Sequence, residues 1–170
     1  LFLGVLTPVV WTFIEMKRNN RICSPIDLAS MGLEENSVSI GSDGNGITRL
    51  RARLLTVPGL HDIYIAGNGA EEIARQIEKS FHEAGMKIEA FTDATTGSAI
   101  MTMAAAKAGS QSINLFTIPD ADALPDIAPL LDGEGAVLVM TAEGGTTSRT
   151  TVREMLRGRR ADRVFVAIRE

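Results

Sequence analysis

The sequence predicts an α/β protein with a mostly parallel sheet of about five strands, covered by helices in a three-layer α/β/α arrangement. Three observations lead to this prediction. From Asp62 onward, short apolar runs typical of buried strands alternate with longer segments whose apolar residues have helical spacing. Glycines follow several of the helical segments, as expected at helix ends. Strands that alternate with helices are joined by crossovers, which produce a parallel sheet with helices on both faces.

Three elements are predicted before the alternating region. SPIDLASMG, residues 24–32, has the signals of a short capped helix, with Ser24 as the N-cap and a glycine at its end. A short strand is predicted at residues 37–40, inside a polar, glycine-bearing connection. ITRLRARLLTV, residues 47–57, has apolar residues at helical spacing, and the Pro-Gly pair that follows ends the helix.

The alternating region starts at Asp62. Its helix at residues 70–85 has Ile73, Ile77 and Phe81 on one face, which predicts that this face is buried. In chain order, the predicted elements are strand 62–67, helix 70–85, strand 87–93, helix 98–109, strand 112–119, short helix or helical turn 122–131, strand 135–143, helix 146–158 and strand 162–169.

Composition argues against several classes of function. The net charge is -4 and aromatic residues make up 5% of the chain, so neither charge nor stacking surface favours nucleic acid. Cys23 is the single cysteine, which rules out an internal disulfide and fits a reducing setting. The two histidines, His61 and His82, have no cysteine or histidine cluster around them, so no metal site is predicted.

The first 14 residues, LFLGVLTPVVWTFI, carry no charged side chain and precede a basic stretch. A bilayer needs about 20 such residues. The pattern therefore predicts that residues 1–16 are the C-terminal part of a transmembrane helix, with the basic residues on the cytoplasmic side. Residues 17–46 are then a membrane-proximal segment and linker, and residues 47–170 form the α/β domain. The alternative is that the first segment is an amphipathic or buried helix of a soluble fold.

The loop after strand 62–67 has the layout of a phosphate-binding loop. In a working loop, G-x-x-x-x-G-K-[ST], backbone N–H groups cradle the phosphates, the lysine neutralises their charge and the hydroxyl holds magnesium. Here Gly67, Asn68 and Gly69 form a shorter loop, and no lysine follows. Glu71 and Glu72 stand in the first helical turn, where they suit the helix dipole but repel a triphosphate. The sequence thus predicts a degenerate P-loop with a tight turn, no catalytic residue and no cofactor.

A second glycine-bearing loop follows strand 135–143. Its residues Gly144, Gly145, Thr146 and Thr147 could hold an anion at a helix N-terminus. The alternative is an ordinary helix start, capped by Thr146, Thr147 or Ser148.

Acidic and hydroxyl residues also stand near two other strand ends. Asp93 ends strand 87–93, a position often used by acidic groups in α/β sites, but Asp93 or Thr96 also suits a helix N-cap. Thr117 stands where a P-loop ATPase needs a magnesium-binding aspartate. Asp120 and Asp122 follow it and are interpreted as turn and helix-cap residues.

Together these segments resemble the cytoplasmic region of bacterial polysaccharide co-polymerases fused to a tyrosine-kinase-like domain. RICSPIDL, residues 21–28, is similar to the family's R-I-x-(S/T)-P-x-D-L after its second transmembrane helix. Residues 49–54 resemble the helix R-x-L-R-x-x-L that follows. Residues 117–156, TIPDADALPDIAPLLDGEGAVLVMTAEGGTTSRTTVREML, are similar in layout to the family's third motif and the strand and helix after it. The resemblance covers nearly the whole chain.

The resemblance implies the process of exopolysaccharide, lipopolysaccharide or capsule synthesis and export, but not the kinase activity. The family's first nucleotide motif is absent at residues 67–72, and its second, D-A-D-x-R, is only echoed by Asp93 and the alanine after it. The aspartate of its third motif aligns with Thr117. The family's tail is rich in phosphorylated tyrosines, whereas the single tyrosine here, Tyr64, falls in a predicted buried strand.

The resulting expectation is a non-catalytic, pseudokinase-like domain on the cytoplasmic side of the bacterial inner membrane, which influences chain length. Its expected partners are further copies of itself in a homo-oligomer, polysaccharide polymerase or export proteins, or a separate kinase. Neither a cofactor nor nucleic acid is expected. Two alternatives remain: a divergent nucleotide-binding, tyrosine-kinase-like ATPase, and a soluble α/β binding domain.

Overall fold

The computed structural model describes residues 20–41, 45–92, 96–118 and 121–170. Six strands form one sheet, in the order β1-β6-β5-β2-β4-β3, and every neighbouring pair is parallel. The predicted parallel α/β architecture is confirmed, with six strands where about five were expected. The strands are β1 Ser37–Ile40, β2 Asp62–Ala66, β3 Ile88–Phe91, β4 Ile113–Ile118, β5 Ala136–Glu143 and β6 Val164–Arg169.

The helices follow the predicted order. The α-helices are α1 Asn45–Leu54, α2 Ala70–Glu83, α3 Gly97–Lys107, α4 Ala128–Leu131 and α5 Arg149–Met155. Short 3-10 helices cover Pro25–Met31, Ala121–Ala123 and Ala161–Arg163. The segment 122–131, predicted as a short helix or a helical turn, contains a 3-10 turn and the single turn of α4, because Pro125 removes a backbone donor from its middle.

The two faces of the sheet bury different helices. Side chains from α1 and α2 pack with Ile63 and Ile65 on one face. Side chains from the 3-10 helix Pro25–Met31 and from α3, α4 and α5 pack with Tyr64 and Ala66 on the other. Successive residues of β2 therefore point to opposite faces, as in any strand, and both faces are buried.

The strand expected at residues 37–40 is the edge strand β1, which pairs with β6. Val38 and Ile40 are buried against α1. Gly46 makes this close approach possible, because a Cβ there would lie 2.8 Å from the Cα of Ile40 and overlap the carbonyl of Ser39. The segment expected to be a linker thus contributes a strand to the sheet.

Residues 1–16, predicted as part of a transmembrane helix, lie outside the described residues, as do Asp93 and Asp120. Among the helices that the structure describes, none is long and apolar enough to cross a membrane.

Candidate functional site

The carboxyl end of β2 lies at the point where the chain changes faces. β2 stands between β4 and β5. The helix after β2 packs on one face of the sheet, whereas the helices after β4 and β5 pack on the other. In open α/β sheets this topological switch point opens a crevice at the strand ends, where ligands bind. The loop of Gly67, Asn68 and Gly69 lies at this switch point, between β2 and α2.

Two side chains from other strands close on this glycine loop, residues 66–70. The hydroxyl of Thr141, in β5, lies 2.8 Å from the carbonyl oxygen of Asn68 and 3.2 Å from that of Ala66. The half-buried side chain of Arg169, at the end of β6, lies against Gly69, so closely that a Cβ at Gly69 would overlap its guanidinium group. The loop is thus packed between β5 and the end of β6.

Backbone conformation explains why glycines stand at both positions. Gly67 has a backbone φ of 113° and Gly69 one of 75°. Residues with an L side chain rarely adopt such positive φ values. A Cβ at Gly67 would also lie 2.7 Å from Oγ1 of Thr141. The positive φ values of the turn favour glycine at both positions, and at Gly67 the backbone of β5 also leaves no room for a Cβ, whether or not a phosphate binds.

The two glutamates of the loop stand in the first turn of α2, as the sequence indicates. Glu71 is exposed. Glu72 pairs with Arg75 at 3.4 Å and accepts a hydrogen bond of 2.8 Å from Gln76. Both carboxylates lie where the helix dipole favours negative charge. A phosphate at this helix end would have to approach them directly.

The other elements of a nucleotide site are not brought to this crevice by the described residues. Thr117 is buried in β4, beside Ile65 of β2, and supplies a hydroxyl where a magnesium site would need a carboxylate. Asp122 lies in the 3-10 helix Ala121–Ala123. Thr96 is the N-cap of α3 and accepts a hydrogen bond from Ala99 N–H. No group of three or more possible metal-ligating side chains occurs within the described ranges.

The second glycine-bearing loop joins β5 to α5, and its backbone donors are in use. The N–H of Gly144 donates to the carbonyl of Arg169, at 2.8 Å, and that of Gly145 to the carbonyl of Ile22, also at 2.8 Å. The N–H groups of Thr146 and Thr147 both donate to the carbonyl of Glu143. In this conformation, none of these four donors is available to an anion.

The start of α5 is an ordinary capped start. Ser148 is its N-cap and accepts a hydrogen bond of 3.1 Å from Thr151 N–H. The hydroxyl of Thr147 instead accepts a hydrogen bond from the N–H of Glu143, which closes the loop on itself.

Residues 20–28, which we name the strap, begin with an antiparallel bridge between Arg21 and Ser148, at the β5–α5 loop. The N–H of Ile22 donates to the carbonyl of Thr147, and the N–H of Arg149 donates to the carbonyl of Asn20, at 2.9 and 2.7 Å. The guanidinium of Arg21 donates to the carbonyl of Gly145. Ile22 has no exposed surface and belongs to the core. The segment that resembles the co-polymerase motif is therefore bound to the α/β domain.

An ion pair joins the strap to α5. Oδ1 of Asp27 lies 2.7 Å from Nη2 of Arg149, while Oδ2 accepts hydrogen bonds from the N–H groups of Cys23 and Ser24. The bond from Cys23 and the pairing with Arg149 hold the pKa of Asp27 below its usual value, although partial burial opposes this shift. The Asp27 carboxylate both caps the 3-10 helix and fixes it to α5.

The substitution Asp27→Asn is expected to lower the free energy of unfolding by about 1–2 kcal/mol at pH 7, because it weakens charge-assisted hydrogen bonds. Since the folded-state pKa is depressed, this stabilisation is present above about pH 4 and is lost as the pH falls through the folded-state pKa. Urea unfolding at pH 7 and pH 3 measures both effects. As a control, Asp162→Asn breaks a similarly short but exposed pair with Arg160 and should change stability by less than about 0.5 kcal/mol. Equal losses for the two variants would contradict the role given to Asp27.

Tyr64 is fully buried on β2, as the sequence predicted. Its ring stacks on Phe116 with 5.1 Å between ring centroids. Burial, together with the nearby carboxylate of Asp62, raises the pKa of Tyr64 well above its usual value. A kinase could not reach this hydroxyl in the folded domain.

Sequence reasoning missed Thr141 and Arg169, the side chains that close the glycine loop. Each lies in an apolar strand pattern more than 70 residues after the loop. Their positions at the carboxyl ends of β5 and β6 are the only local signal, because strand ends of a parallel sheet meet at one edge.

Neither a protein-family model nor a curated protein matches this chain.

Proposed function

We propose that the chain is the non-catalytic cytoplasmic domain of a bacterial inner-membrane protein that controls chain length in exopolysaccharide, lipopolysaccharide or capsule biosynthesis. It acts by binding other proteins. The partner classes are further copies of the chain, polysaccharide polymerase or export proteins, and a separate kinase. The proposal has two supports, the resemblance of residues 21–28 to the co-polymerase motif and the state of the glycine loop.

The closed glycine loop is the observation that carries the non-catalytic part of the proposal. In a P-loop, the loop faces the phosphates and a lysine neutralises them. Here Thr141 and Arg169 pack against the loop, and Glu71 and Glu72 follow it. The same scaffold that would hold a nucleotide is stabilised by contacts within the protein.

The docked strap supports the membrane-linked part. In the family, the R-I-x-(S/T)-P-x-D-L segment follows a transmembrane helix. Here the equivalent residues are hydrogen-bonded to the β5–α5 loop and paired through Asp27 with Arg149. A membrane segment attached before the strap would be linked to the α/β domain through these contacts.

Calorimetric titration of Mg-ATP and Mg-ADP into the full chain in detergent tests the proposal. We expect no binding tighter than about 100 μM, which corresponds to about 5.5 kcal/mol. Tighter binding would contradict the non-catalytic assignment. The detergent-solubilised chain should also be weighed by analytical ultracentrifugation, where an assembly of several copies is the result expected for a homo-oligomer.

A divergent nucleotide-binding ATPase is the second candidate, and one observation favours it. The guanidinium of Arg169 lies at the glycine loop and could act as the phosphate-neutralising cation in place of the missing lysine. If nucleotide binding is found, Arg169→Gln should abolish it under this second function. The Arg75→Gln variant is the matched control, since it removes an exposed guanidinium on the same helix as the loop glutamates.

A further inference from the structure

We propose that the strap and the glycine loop are coupled, so that docking of the strap holds Arg169 against Gly69 and keeps the loop closed. Undocking of the strap would release Arg169 and open the switch-point crevice. The inference concerns contacts within this chain and holds whether or not the proposed function is correct. It gives the molecule a route by which a pull or a binding event at residues 20–28 reaches the carboxyl end of β2.

The first step of the route is the contact between the strap and the β5–α5 loop. Gly145 exchanges hydrogen bonds with the strap through both of its backbone groups: its N–H donates to Ile22 and its carbonyl accepts from the Arg21 side chain. Thr147 accepts from Ile22 N–H at 2.9 Å. When the strap leaves, the loop loses these hydrogen bonds.

The second step joins the loop to the end of β6. The N–H of Gly144 donates to the carbonyl of Arg169 at 2.8 Å, and Glu143 pairs with Arg169 in the β5–β6 register. These are the last contacts of the ladder between β5 and β6. Strand ends open more readily than strand centres. Arg169 is paired on its other side with Ile40 of β1, so the β5–α5 loop, which the strap contacts, is one of two neighbours that position its backbone.

The third step is the contact of the Arg169 side chain with the glycine loop. The atoms nearest to a Cβ placed on Gly69 are Nη1, Cζ and Cδ of Arg169. The N–H groups of Glu72 and Ile73, which form the start of α2, donate to the carbonyl of Gly69. A shift of Arg169 therefore changes the packing on the residue from which α2 begins.

Coupling through such a chain of contacts requires that both ends bias one equilibrium, and it is then reciprocal. Loosening the strap should open the glycine loop, and removing the Arg169 side chain should loosen the strap. A purely structural strap would affect only its own contact surface. A coupled strap and a purely structural strap therefore differ in one respect: only the coupled strap changes the opening of residues 66–70, which the strap does not touch.

Hydrogen exchange of the full chain in detergent, followed by mass spectrometry of peptides, tests the coupling. The variant Arg149→Gln removes the ion pair with Asp27. We expect amide exchange about fivefold faster or more in residues 143–149 and also in residues 66–70, the low end of usual coupling effects. Exchange in β3 and α3 should stay unchanged. The conservative variant Arg149→Lys, which keeps a cation facing Asp27 and leaves its capping bonds intact, should retain more protection at both places than Arg149→Gln.

Lys107→Gln is the matched control, because it breaks an ion pair of the same 2.7 Å length, to Glu89, away from the strap. It should leave amide exchange in residues 66–70 unaffected.

Arg169→Gln provides the reciprocal test and should speed exchange in residues 20–28. The proposal is overturned if Arg149→Gln speeds exchange in residues 20–28 and 143–149 while residues 66–70 keep wild-type protection. It is equally overturned if Arg169→Gln leaves the strap unchanged. Neither readout depends on nucleotide binding, so the result is separate from that of the ATP titration.

Discussion

Replacing Gly67 by alanine is expected to destabilise the α/β domain by about 2–5 kcal/mol. Two costs add. The left-handed backbone at φ 113° costs a residue with a Cβ about 1–2 kcal/mol. The new Cβ would also lie 2.8 Å from the carbonyl oxygen of Thr141, a backbone atom of β5 in a residue that pairs with Ala167 of β6. Overpacking of this kind costs about 1–3 kcal/mol.

The Gly85→Ala variant separates the two costs. Gly85 follows α2 with φ 73°, and no atom lies within 4 Å of a Cβ placed there. Its substitution should therefore cost only the backbone strain, about 1–2 kcal/mol. Urea unfolding of both variants gives the difference. If Gly67→Ala lowers the free energy of unfolding no more than Gly85→Ala does, the glycine loop does not pack against Thr141. The description of the loop as closed would then be wrong.

Replacing Ile22 by alanine should have the second large effect, a loss of about 2–5 kcal/mol in the free energy of unfolding. Ile22 has no exposed surface, and it belongs to the same core cluster as Leu28, Leu33, Val152 and Ile168. Truncation leaves a cavity between the strap and the sheet. It also weakens the backbone pairing of the strap with Gly145 and Thr147, since the side chain anchors that segment.

Ile26→Ala is the internal comparison for this prediction. Ile26 lies four residues further along the same strap, but its side chain is 69% exposed. Its truncation should change stability by less than about 0.5 kcal/mol. Thermal or urea unfolding of both variants decides the point. Similar small losses would mean that the strap is not part of the folded core, and would also remove the first step of the coupling proposed above.

Much of the fold could be predicted from local patterns. The alternation of apolar strands with periodic helices indicated a parallel sheet, and most predicted elements lie within a few residues of the observed ones. Helix starts were also readable: Ser24 is the N-cap that was predicted, and Thr96 and Ser148 are each one of the alternatives that the sequence left open. Such signals act over three or four residues, so the sequence displays them directly.

The edge strand β1 was less visible in the sequence. Ser37–Ile40 is only four residues long and lies in a polar stretch, so the pattern predicted a short strand without a place for it. It belongs to the sheet because it pairs with β6, more than 120 residues later, and because Gly46 lets α1 pack onto it.

The composition of the glycine loop was determined by the sequence alone: two glycines, no lysine, and two glutamates at the start of a helix. So was the parallel α/β class, since the order of apolar and periodic segments leaves few other ways to bury them. Only the tertiary structure decided what the glycine loop and the strap touch. Arg169 reaches Gly69, and Asp27 reaches Arg149, across 100 or more residues of chain. Contacts at such separations depend on strand order and register, which are set by the packing of the whole sheet and leave no periodic trace in the chain.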